Sequence, residues 1–455
     1  MRLGSFVVAG LLVSSLAQPA FAVTQTLQDA MAGAYRSNPD LQAARAKLRA
    51  TDEQVSQALS GWRPSVDAVA GAGASRQKIA SGPLAGDESL SPSDVGIRVT
   101  QPVFRGFRTE AAVKAAEANV LAGRAQLKEA EQQLLFEAAT AYLDVAQSQT
   151  VLDLTINNED ILRKQLEETT GRFDVGEVTK TDVSQSEARL SAAIAARTRA
   201  EGALANDRAT FLRLVGDQAG VLAPAKLVLD FPHSADEAAT MAVKNNPSVL
   251  AALHGQDAAE AGVTAAEGSL LPEIALVGDV SRGWEQSIMQ SHRQDDATIM
   301  ARLTIPLYRS GADYAKTRAA RQTVTQTRLE LEGARHKARE LAVRAWQNLL
   351  TARAAITAHK SEGEATALAL RGVQEERKAG TRTTLDVLNA EQEMLNAKVN
   401  LVKAEHDEAL AILQIKAAVG ALTAEALALR VEVYQPSTHY DEVRGKWIGF
   451  GASQK

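Results

Sequence analysis

The sequence has no cysteine, few prolines and few aromatic residues, and each shortage narrows the classes of protein it can encode. The lack of cysteine among 455 residues excludes a disulfide scaffold, thiolate metal sites and thiol nucleophiles. Only 12 prolines and 4% aromatic residues, in a chain rich in Ala, Leu, Glu and Gln, favour long helices packed closely side by side. The formal net charge of −5 is small and spread along the chain, so nothing indicates binding to nucleic acid.

The N-terminus has the pattern of a secretory signal peptide. Arg2 precedes a short apolar stretch at 6–16, and Ala20-Phe21-Ala22 provides the small residues of a cleavage site. We therefore expect residues 1–22 to be removed and the mature chain to begin near Val23, outside the cytoplasm. No later segment has about 18 consecutive apolar residues, so we predict no transmembrane α-helix.

The rest of the chain contains an internal repeat. Asn38-Pro39 recurs as Asn246-Pro247, 208 residues later, and Gly176 recurs as Gly380, 204 residues later. A loop four residues shorter in the second half explains the change of spacing, and we interpret the mature chain as a tandem duplication. The predicted divisions are a signal peptide (1–22), a first repeat (23–220), a second repeat (221–430) and a C-terminal tail (431–455).

Both repeats have the same predicted order of elements: a helix broken at Asn-Pro, two extended segments and a long helical hairpin. Proline is missing from 107–171 and from 311–376, so each hairpin is expected to begin with a helix about 98 Å long. The predicted bounds are 26–60 for the first helix, 62–79 and 94–104 for the first strand pair, 107–214 for the first hairpin, 235–268 for the next helix, 273–283 and 297–308 for the second strand pair, and 311–418 for the second hairpin. The polar segments 79–93 and 284–295 between the strands are expected to be loops.

The second extended segment of each repeat alternates apolar and polar residues, which predicts a strand with two unlike faces. The apolar residues are Val95, Ile97, Val99, Ile299, Ala301 and Leu303. The polar residues are Arg98, Thr100, Arg302 and Thr304. An Arg facing lipid at the midplane costs about 2–4 kcal/mol, so we expect the apolar set to face lipid and the polar set to face a water-filled lumen.

Four strands cannot close a membrane barrel alone, because closed barrels have at least about eight strands and open edges cannot face lipid. The strands must therefore be shared between chains, giving eight strands in two copies or twelve in three. The predicted fold class is mainly α with a small β part, built from tandem-duplicated helical hairpins plus four strands per protomer.

The two predicted hairpin turns resemble the hairpin tips of TolC-like outer-membrane efflux and secretion channels, the outer membrane factors. The motifs are Arg172-Phe-Asp-Val-Gly-Glu-Val-Thr-Lys-Thr-Asp-Val183 and Ala379-Gly-Thr-Arg-Thr-Thr-Leu-Asp-Val-Leu-Asn-Ala390. The Asn-Pro openings and the duplication agree, and the resemblance covers about 24–430. It implies a homotrimer in which a twelve-stranded outer-membrane barrel continues into a periplasmic α-helical barrel.

The resemblance also implies a function and partners. The expected protein is a channel-tunnel of the outer membrane, extending into the periplasm, that exports drugs or other small molecules, proteins, or both. The implied partners are outer-membrane lipid, a periplasmic adaptor (membrane fusion) protein and an inner-membrane exporter of the RND or ABC type. The identity of the cargo, pump and adaptor and the resting state of the channel are left open.

Candidate site residues follow from positions that match the family's motifs. An acidic ring at the periplasmic entrance corresponds to Asp386 and Asn389, and the asparagine halves the ring's charge relative to members with two Asp positions. The links that hold the entrance closed correspond to Thr181, Asp182, Arg377 and Arg382, where Arg377 replaces a frequent Tyr and is expected to pair with Asp182. The tips gripped by the adaptor correspond to Val175, Gly176, Ala379 and Gly380.

Simpler explanations remain open for the same residues. Asp182 and Asp386 are also placed to stabilise helix N-termini through the macrodipole. Arg377 and Arg382 fit equally well as solvated charges. Gly176 and Gly380 can be explained as the residues that a tight turn needs.

Two other classes of protein fit the sequence less well. An enzyme is disfavoured because Gly71-Ala-Gly-Ala-Ser-Arg76 lacks the third glycine of a dinucleotide loop and the seven histidines are scattered; we expect no catalytic residue, cofactor or metal. The alternative is a soluble periplasmic coiled-coil structural or adaptor protein, although adaptors carry one helical hairpin rather than two in tandem. The tail from 431 lies outside the duplication and is expected to pack at mid-tunnel beside 215–234.

Overall fold

The computed structural model describes residues 24–80, 86–225, 227, 232–286 and 293–451. The predicted signal peptide lies outside the described residues. The helices and strands are α1 (Leu27–Ser37), α2 (Pro39–Leu59), β1 (Ser65–Ala72), β2 (Ser75–Ile79), β3 (Gly86–Leu90), β4 (Ser93–Arg105), α3 (Arg108–Asp174), α4 (Lys180–Val215), α5 (Ala235–Asn245), α6 (Pro247–Gly268), β5 (Glu273–Trp284), β6 (Gln294–Thr304), α7 (Ala312–Lys378), α8 (Thr384–Ala418) and α9 (Pro436–Val443). None of the helices in these ranges combines the length and the hydrophobicity needed to cross a bilayer.

The Asn-Pro pairs break the first helix of each repeat, as the sequence predicts. Asn38 Oδ1 accepts a hydrogen bond from the backbone N of Asp40 at 2.9 Å, and Asn246 Oδ1 accepts one from the backbone N of Ser248 at 3.0 Å. The proline that follows each asparagine takes the first position of the next helix, where its missing N–H costs no hydrogen bond.

The two long hairpins are confirmed and have closely similar dimensions. Helices α3 and α7 have 67 residues each, which corresponds to about 100 Å. Helix α4 packs along α3 and α8 packs along α7, while α2 and α6 lie beside other parts of the same long helices. The shorter helices meet end to end, since Ser37 Oγ donates to the carbonyl of Val215 at 3.1 Å and Asn246 Nδ2 donates to the carbonyl of Ala418 at 3.0 Å. Two short helices therefore match the length of one long helix.

The four predicted strands form one antiparallel sheet in the order β1-β4-β5-β6. The segment 79–93, expected to be a loop, was assigned wrongly, because β2 and β3 pair as a separate antiparallel hairpin. The first strand, predicted to run over 62–79, is correspondingly divided between β1 and β2. An ion pair of 2.7 Å between Arg76 and Asp87 crosses the hairpin. Because nearly all of its side chains are exposed, it lacks the apolar alternation that reveals a strand in a sequence.

A core near the middle of the long helices joins the two ends of the chain. It contains side chains of α1, α3 and the end of α4 together with 422–429. The Tyr142 hydroxyl lies 2.9 Å from the carbonyl of Gln25 and 2.5 Å from that of Ala223, and burial raises the pKa of Tyr142 to about 12. A buried tyrosine hydroxyl held by backbone carbonyls fixes the N-terminal segment against α3.

Only the first part of the C-terminal tail packs where it was expected. Val431 and Tyr434 pack on the core that includes Leu222, but α9 then runs along α2. Beyond α9, the carbonyl of Lys446 accepts a hydrogen bond from Arg63 Nη1 at 2.7 Å, just before β1. The expectation of a wholly mid-tunnel tail was therefore wrong. Its hydrogen bonds to Ser56 and Arg63 reach residues nearly four hundred positions earlier, which no local pattern reveals.

Candidate functional site

The two hairpin tips are closed by the same turn. Gly176 N donates to the carbonyl of Phe173 at 2.9 Å, and Gly380 N donates to that of Arg377 at 3.0 Å. The two glycines have φ values of +76° and +80°, which favour glycine. A Cβ at either position would meet nothing within 4 Å, so backbone conformation rather than crowding requires the glycine. The preceding residues, Val175 and Ala379, are exposed, and Val175 is 72% exposed.

The two aspartates after the tips form matching capping boxes. Asp182 Oδ2 accepts from Thr179 N at 2.9 Å, and Asp386 Oδ2 accepts from Thr383 N at 2.9 Å. The hydrogen bonds from each threonine lower the pKa of each aspartate, so both carboxylates are ionised at neutral pH. The capping role that was open for Asp182 and Asp386 is thus present in the protomer. Although its carboxylate caps the helix, Asp386 is only partly buried. Its place in an entrance ring stays a prediction.

Asn389, the second predicted ring residue, lies on the exposed surface one turn beyond Asp386. Its Oδ1 accepts a hydrogen bond of 2.7 Å from Arg189 Nη2 on α4. The predicted ring position therefore also joins the first hairpin to the second.

Arg377 makes a different contact from the one that the sequence predicts. Its Nη2 lies 3.0 Å from Glu168 Oε1 on α3, whereas the Asp182 carboxylate accepts hydrogen bonds from the backbone N and the hydroxyl of Thr179. The Arg377 side chain is only 13% exposed, which rules out a freely solvated charge. It also faces Glu391, whose pKa is raised by burial and lowered in part by the guanidinium.

The remaining predicted gate residues lie at the tips themselves. Arg382 Nε is 2.8 Å from Glu376 Oε2, and both side chains are about half exposed. This pair closes the second tip onto itself rather than onto the first hairpin. Thr181 is exposed in the first turn of α4, so its hydroxyl is available to a neighbouring protomer.

Sequence analysis missed Glu168 and Arg189. Each joins the two hairpins across a separation of about 200 residues along the chain, 209 for Glu168–Arg377 and 200 for Arg189–Asn389. Each appears in the sequence as one more charged residue on a polar helix face. Nothing local distinguishes either from a solvated charge.

The second cluster of predicted site residues lies on the four-stranded sheet. In its register Arg98 is opposite Asp279, which is opposite Thr298, and the Arg98 and Asp279 side chains form an ion pair of 3.2 Å. Thr100, Arg302 and Thr304 line the same concave face as this pair. The opposite face carries Val95, Ile97, Val99, Ile299, Ala301 and Leu303, and Ile299 and Leu303 are strongly exposed.

The hairpin tips and the sheet face hold charged and polar side chains in pairs. The tips carry weakly held polar links and ionised carboxylates. Across the parts of the chain that the structure describes, no cluster of three or more His, Asp or Glu is placed to bind a metal ion.

Comparison with known proteins gives consistent matches over both repeats. The family model described as "Outer membrane efflux protein" matches residues 32–217 and 238–421. The chain is 36% identical over 428 residues to the outer membrane efflux protein BepC of Brucella suis, covering 94% of this chain and 92% of BepC. It is 27% identical over 406 residues to the outer membrane protein TolC of Vibrio cholerae, covering 86% and 89% of the two chains. A crystal structure of a membrane protein from Pseudomonas aeruginosa matches with a TM-score of 0.78 at 18% identity, covering 86% of this chain and 90% of that one.

Proposed function

Because this chain belongs to the outer membrane efflux protein family, we propose that it is the outer-membrane duct of an export system driven from the inner membrane. It is a channel protein of the outer membrane that extends into the periplasm, and it is not an enzyme. Its fold is that of trimeric channels, with tandem helical hairpins and four strands per protomer that build a twelve-stranded barrel and a helical barrel. This location sets aside a soluble periplasmic coiled-coil protein. The division into repeats 23–220 and 221–430 and a tail from 431 is part of the proposal.

The observation that carries the proposal is the repeated tip. Two hairpins of matching length end in the same glycine turn with the same capping box. In the trimer these turns give six similar projections in the periplasm. Since no Cβ covers Gly176 or Gly380, the tip of another helical hairpin can approach the backbone closely. We assign Val175, Gly176, Ala379 and Gly380 to contact with a periplasmic adaptor, and an RND or ABC exporter to the inner membrane.

A gate above these tips is the second part of the proposal. Asp386 and Asn389 form the entrance ring, while Thr181, Asp182, Arg377 and Arg382 contribute the links that hold it closed. The contacts Glu168–Arg377 and Arg189–Asn389 support this assignment because they join the two hairpins beside the ring. The exposed links, Arg189–Asn389 and Arg382–Glu376, contribute only about 0–1 kcal/mol each. A set of such links repeated by three-fold symmetry is weak enough for an adaptor to open.

The barrel lumen is the third part. We assign Arg98, Thr100, Arg302 and Thr304 to its wall. The exposed apolar residues on the opposite face support this register, since charge on the lipid side is costly. Cargo passing the sheet then meets a polar wall. Small molecules, proteins or both fit such a passage.

The test uses a strain without its own outer-membrane channel, supplied with this chain and its cognate pump and adaptor. Efflux of a fluorescent dye and release of the system's secreted protein should both be measured, because either one identifies a cargo class. Single cysteines at Val175 and Ala379, labelled with a short photocrosslinker, should form adducts with the periplasmic adaptor. Lys360→Cys is the matched control, since it is exposed on the same helix as the second tip but about 28 Å away.

Two results would contradict the proposal. One is that removal of the chain changes neither dye accumulation nor protein release. The other is that the adaptor adduct forms equally well from Lys360→Cys, which would place the adaptor along the hairpin rather than at its tip.

A further inference from the structure

The end of the tail is held beside the start of the sheet. The carbonyl of Lys446 accepts hydrogen bonds from Arg63 Nη1 at 2.7 Å and from Ser56 Oγ at 3.2 Å. The Arg63 guanidinium also lies over the Trp447 ring, 5.0 Å from its centre. A backbone carbonyl with two donors and a cation–π contact fix residues 446 and 447 in one place.

Just beyond this attachment the tail presents large apolar side chains to solvent. Trp447 is 66% exposed, Ile448 is 89% exposed and Phe450 is fully exposed. Trp62, itself 44% exposed, lines a shallow groove together with Leu59 and Trp447. Contiguous exposed apolar side chains on an otherwise polar surface mark a site of interaction.

The position of this groove relative to the sheet identifies what covers it. Trp62 lies three residues before β1, and its carbonyl accepts a hydrogen bond of 3.0 Å from Gln101 Nε2. Gln101 lies on β4 two residues from Val99, on the face that the proposed function assigns to lipid. The groove therefore continues the lipid-facing surface at its periplasmic end, where the sheet gives way to the helices.

We propose that Trp447, Ile448 and Phe450 insert into the headgroup region of the periplasmic leaflet of the outer membrane. This inference rests on the proposed outward face of the sheet. Trp is enriched at membrane–water boundaries because an apolar ring with one polar N–H suits that zone. The Arg63 guanidinium lies beside Trp447, so this cation is placed near anionic phosphates, while Lys446 Nζ donates to the carbonyl of Gly451 and closes the end of the tail. The tail thus ties the helical part of the protomer to the membrane surface.

The experiment uses the chain's four tryptophans, Trp62, Trp284, Trp346 and Trp447. Four single-tryptophan variants of the full chain, with the other three changed to Phe, are reconstituted into vesicles containing brominated phospholipid. Bromine quenches only tryptophan that contacts lipid. Emission from Trp447 should fall roughly twofold, and more with bromine near the headgroup than with bromine near the chain end. Emission from Trp346, about 50 Å along α7, should not change.

A tail variant provides a second measurement in the same background. With Trp447 as the only tryptophan, changing Ile448→Ser and Phe450→Ser should reduce the quenching of Trp447. The same two changes in the Trp62-only background should leave the quenching of Trp62 as it was.

The other outcomes separate this inference from its premise. Quenching of Trp62 and Trp284 without quenching of Trp447 would keep the outward face of the sheet and overturn the tail's insertion. A blue-shifted but unquenched Trp447 would mean that a neighbouring copy of the chain covers the groove, which also overturns it. Failure of all four to be quenched would overturn both the facing of the sheet and the inference.

Discussion

His439 Nδ1 lies 3.1 Å from Asp52 Oδ2, so that the C-terminal helix α9 is joined to α2 by a hydrogen bond to a completely buried carboxylate. The other oxygen of Asp52 is buried without a partner, and burial raises the pKa of Asp52. The His439 imidazole is therefore both a point of attachment for the tail and the partner of a buried carboxylate.

Removing that imidazole should loosen the tail. His439→Ala leaves the Asp52 carboxylate without a partner, and we expect a loss of about 1–3 kcal/mol. Adding Asp52→Asn should recover part of this loss, because an amide is less costly to bury than an unpaired carboxylate. The measurements are thermal unfolding and the rate of proteolysis near 436. Equal stability of the single and double variants would contradict a role for the pair.

His406 should make the contact between α8 and α3 dependent on pH. Its Nε2 lies 2.8 Å from Asp144 Oδ1, and hydrogen bonding to Asp144 raises the pKa of His406 above 6.5. A raised pKa means that the stabilisation is complete below pH 6.5 and is lost as the pH rises through the folded-state value. The other ring nitrogen, His406 Nδ1, lies 3.3 Å from Asp407 Oδ1, which also raises the pKa of His406, whereas burial lowers it.

Unfolding of the wild type and of His406→Gln across this pH range tests the prediction. The stability difference between them should be largest at acidic pH and should shrink as the pH rises. A difference that stays constant with pH would show that His406 does not titrate within the contact.

In the proposed entrance ring, the charge of the carboxylates and the links between hairpins should affect different properties of the channel. Asp386→Asn should weaken cation selectivity in a planar bilayer, because it removes the ring's carboxylates. Asn389→Asp should strengthen selectivity and cation block, and more so with Arg189→Gln, since Arg189 otherwise pairs with the new carboxylate. Arg377→Ser, which breaks the pair with Glu168 between the two hairpins, should instead raise conductance with little change in selectivity. An unchanged permeability ratio in Asp386→Asn would leave the aspartate with its capping role alone.

The facing of the strands can be tested by cysteine accessibility, since the natural chain has no cysteine. Arg98→Cys and Arg302→Cys should react with a charged, water-soluble thiol reagent in the intact membrane. Ile97→Cys and Ile299→Cys are the matched neighbours on the opposite face and should be protected by lipid. The reverse pattern would exchange the two faces.

The assembly has a simple expected mass. Four strands per protomer leave β1 and β6 as unpaired edges of the sheet, which cannot face lipid. The detergent-solubilised protein should therefore have the mass of three protomers. A monodisperse monomer that retains its β-sheet signal would contradict a barrel shared between chains.

The sequence predicts the architecture well because the helices and strands follow from the periodic spacing of apolar residues. The strand at 94–104 follows from alternating side chains, and the turn at Gly176 follows from a glycine between two helical patterns. The β2–β3 hairpin was not predicted because its exposed polar strands have no apolar face. The contacts of Arg377 and Asn389 were not predicted because their partners, Glu168 and Arg189, come from the other repeat. Contacts between repeats depend on how helices are rotated against each other, which a single sequence does not specify.

The short helices that meet end to end beside each long helix leave one long arm that reaches to the hairpin tip. Helix α4 ends at Val215, and the next residue, Gly216, has a φ of +88° and lies against Ser37. From there its 36 residues reach about 54 Å to the tip. A tilt of about 5° at the glycine moves Thr179 by about 5 Å, more than the length of a hydrogen bond. In the proposed gate, a tilt of this kind would displace Arg189 on α4 and break its hydrogen bond to Asn389.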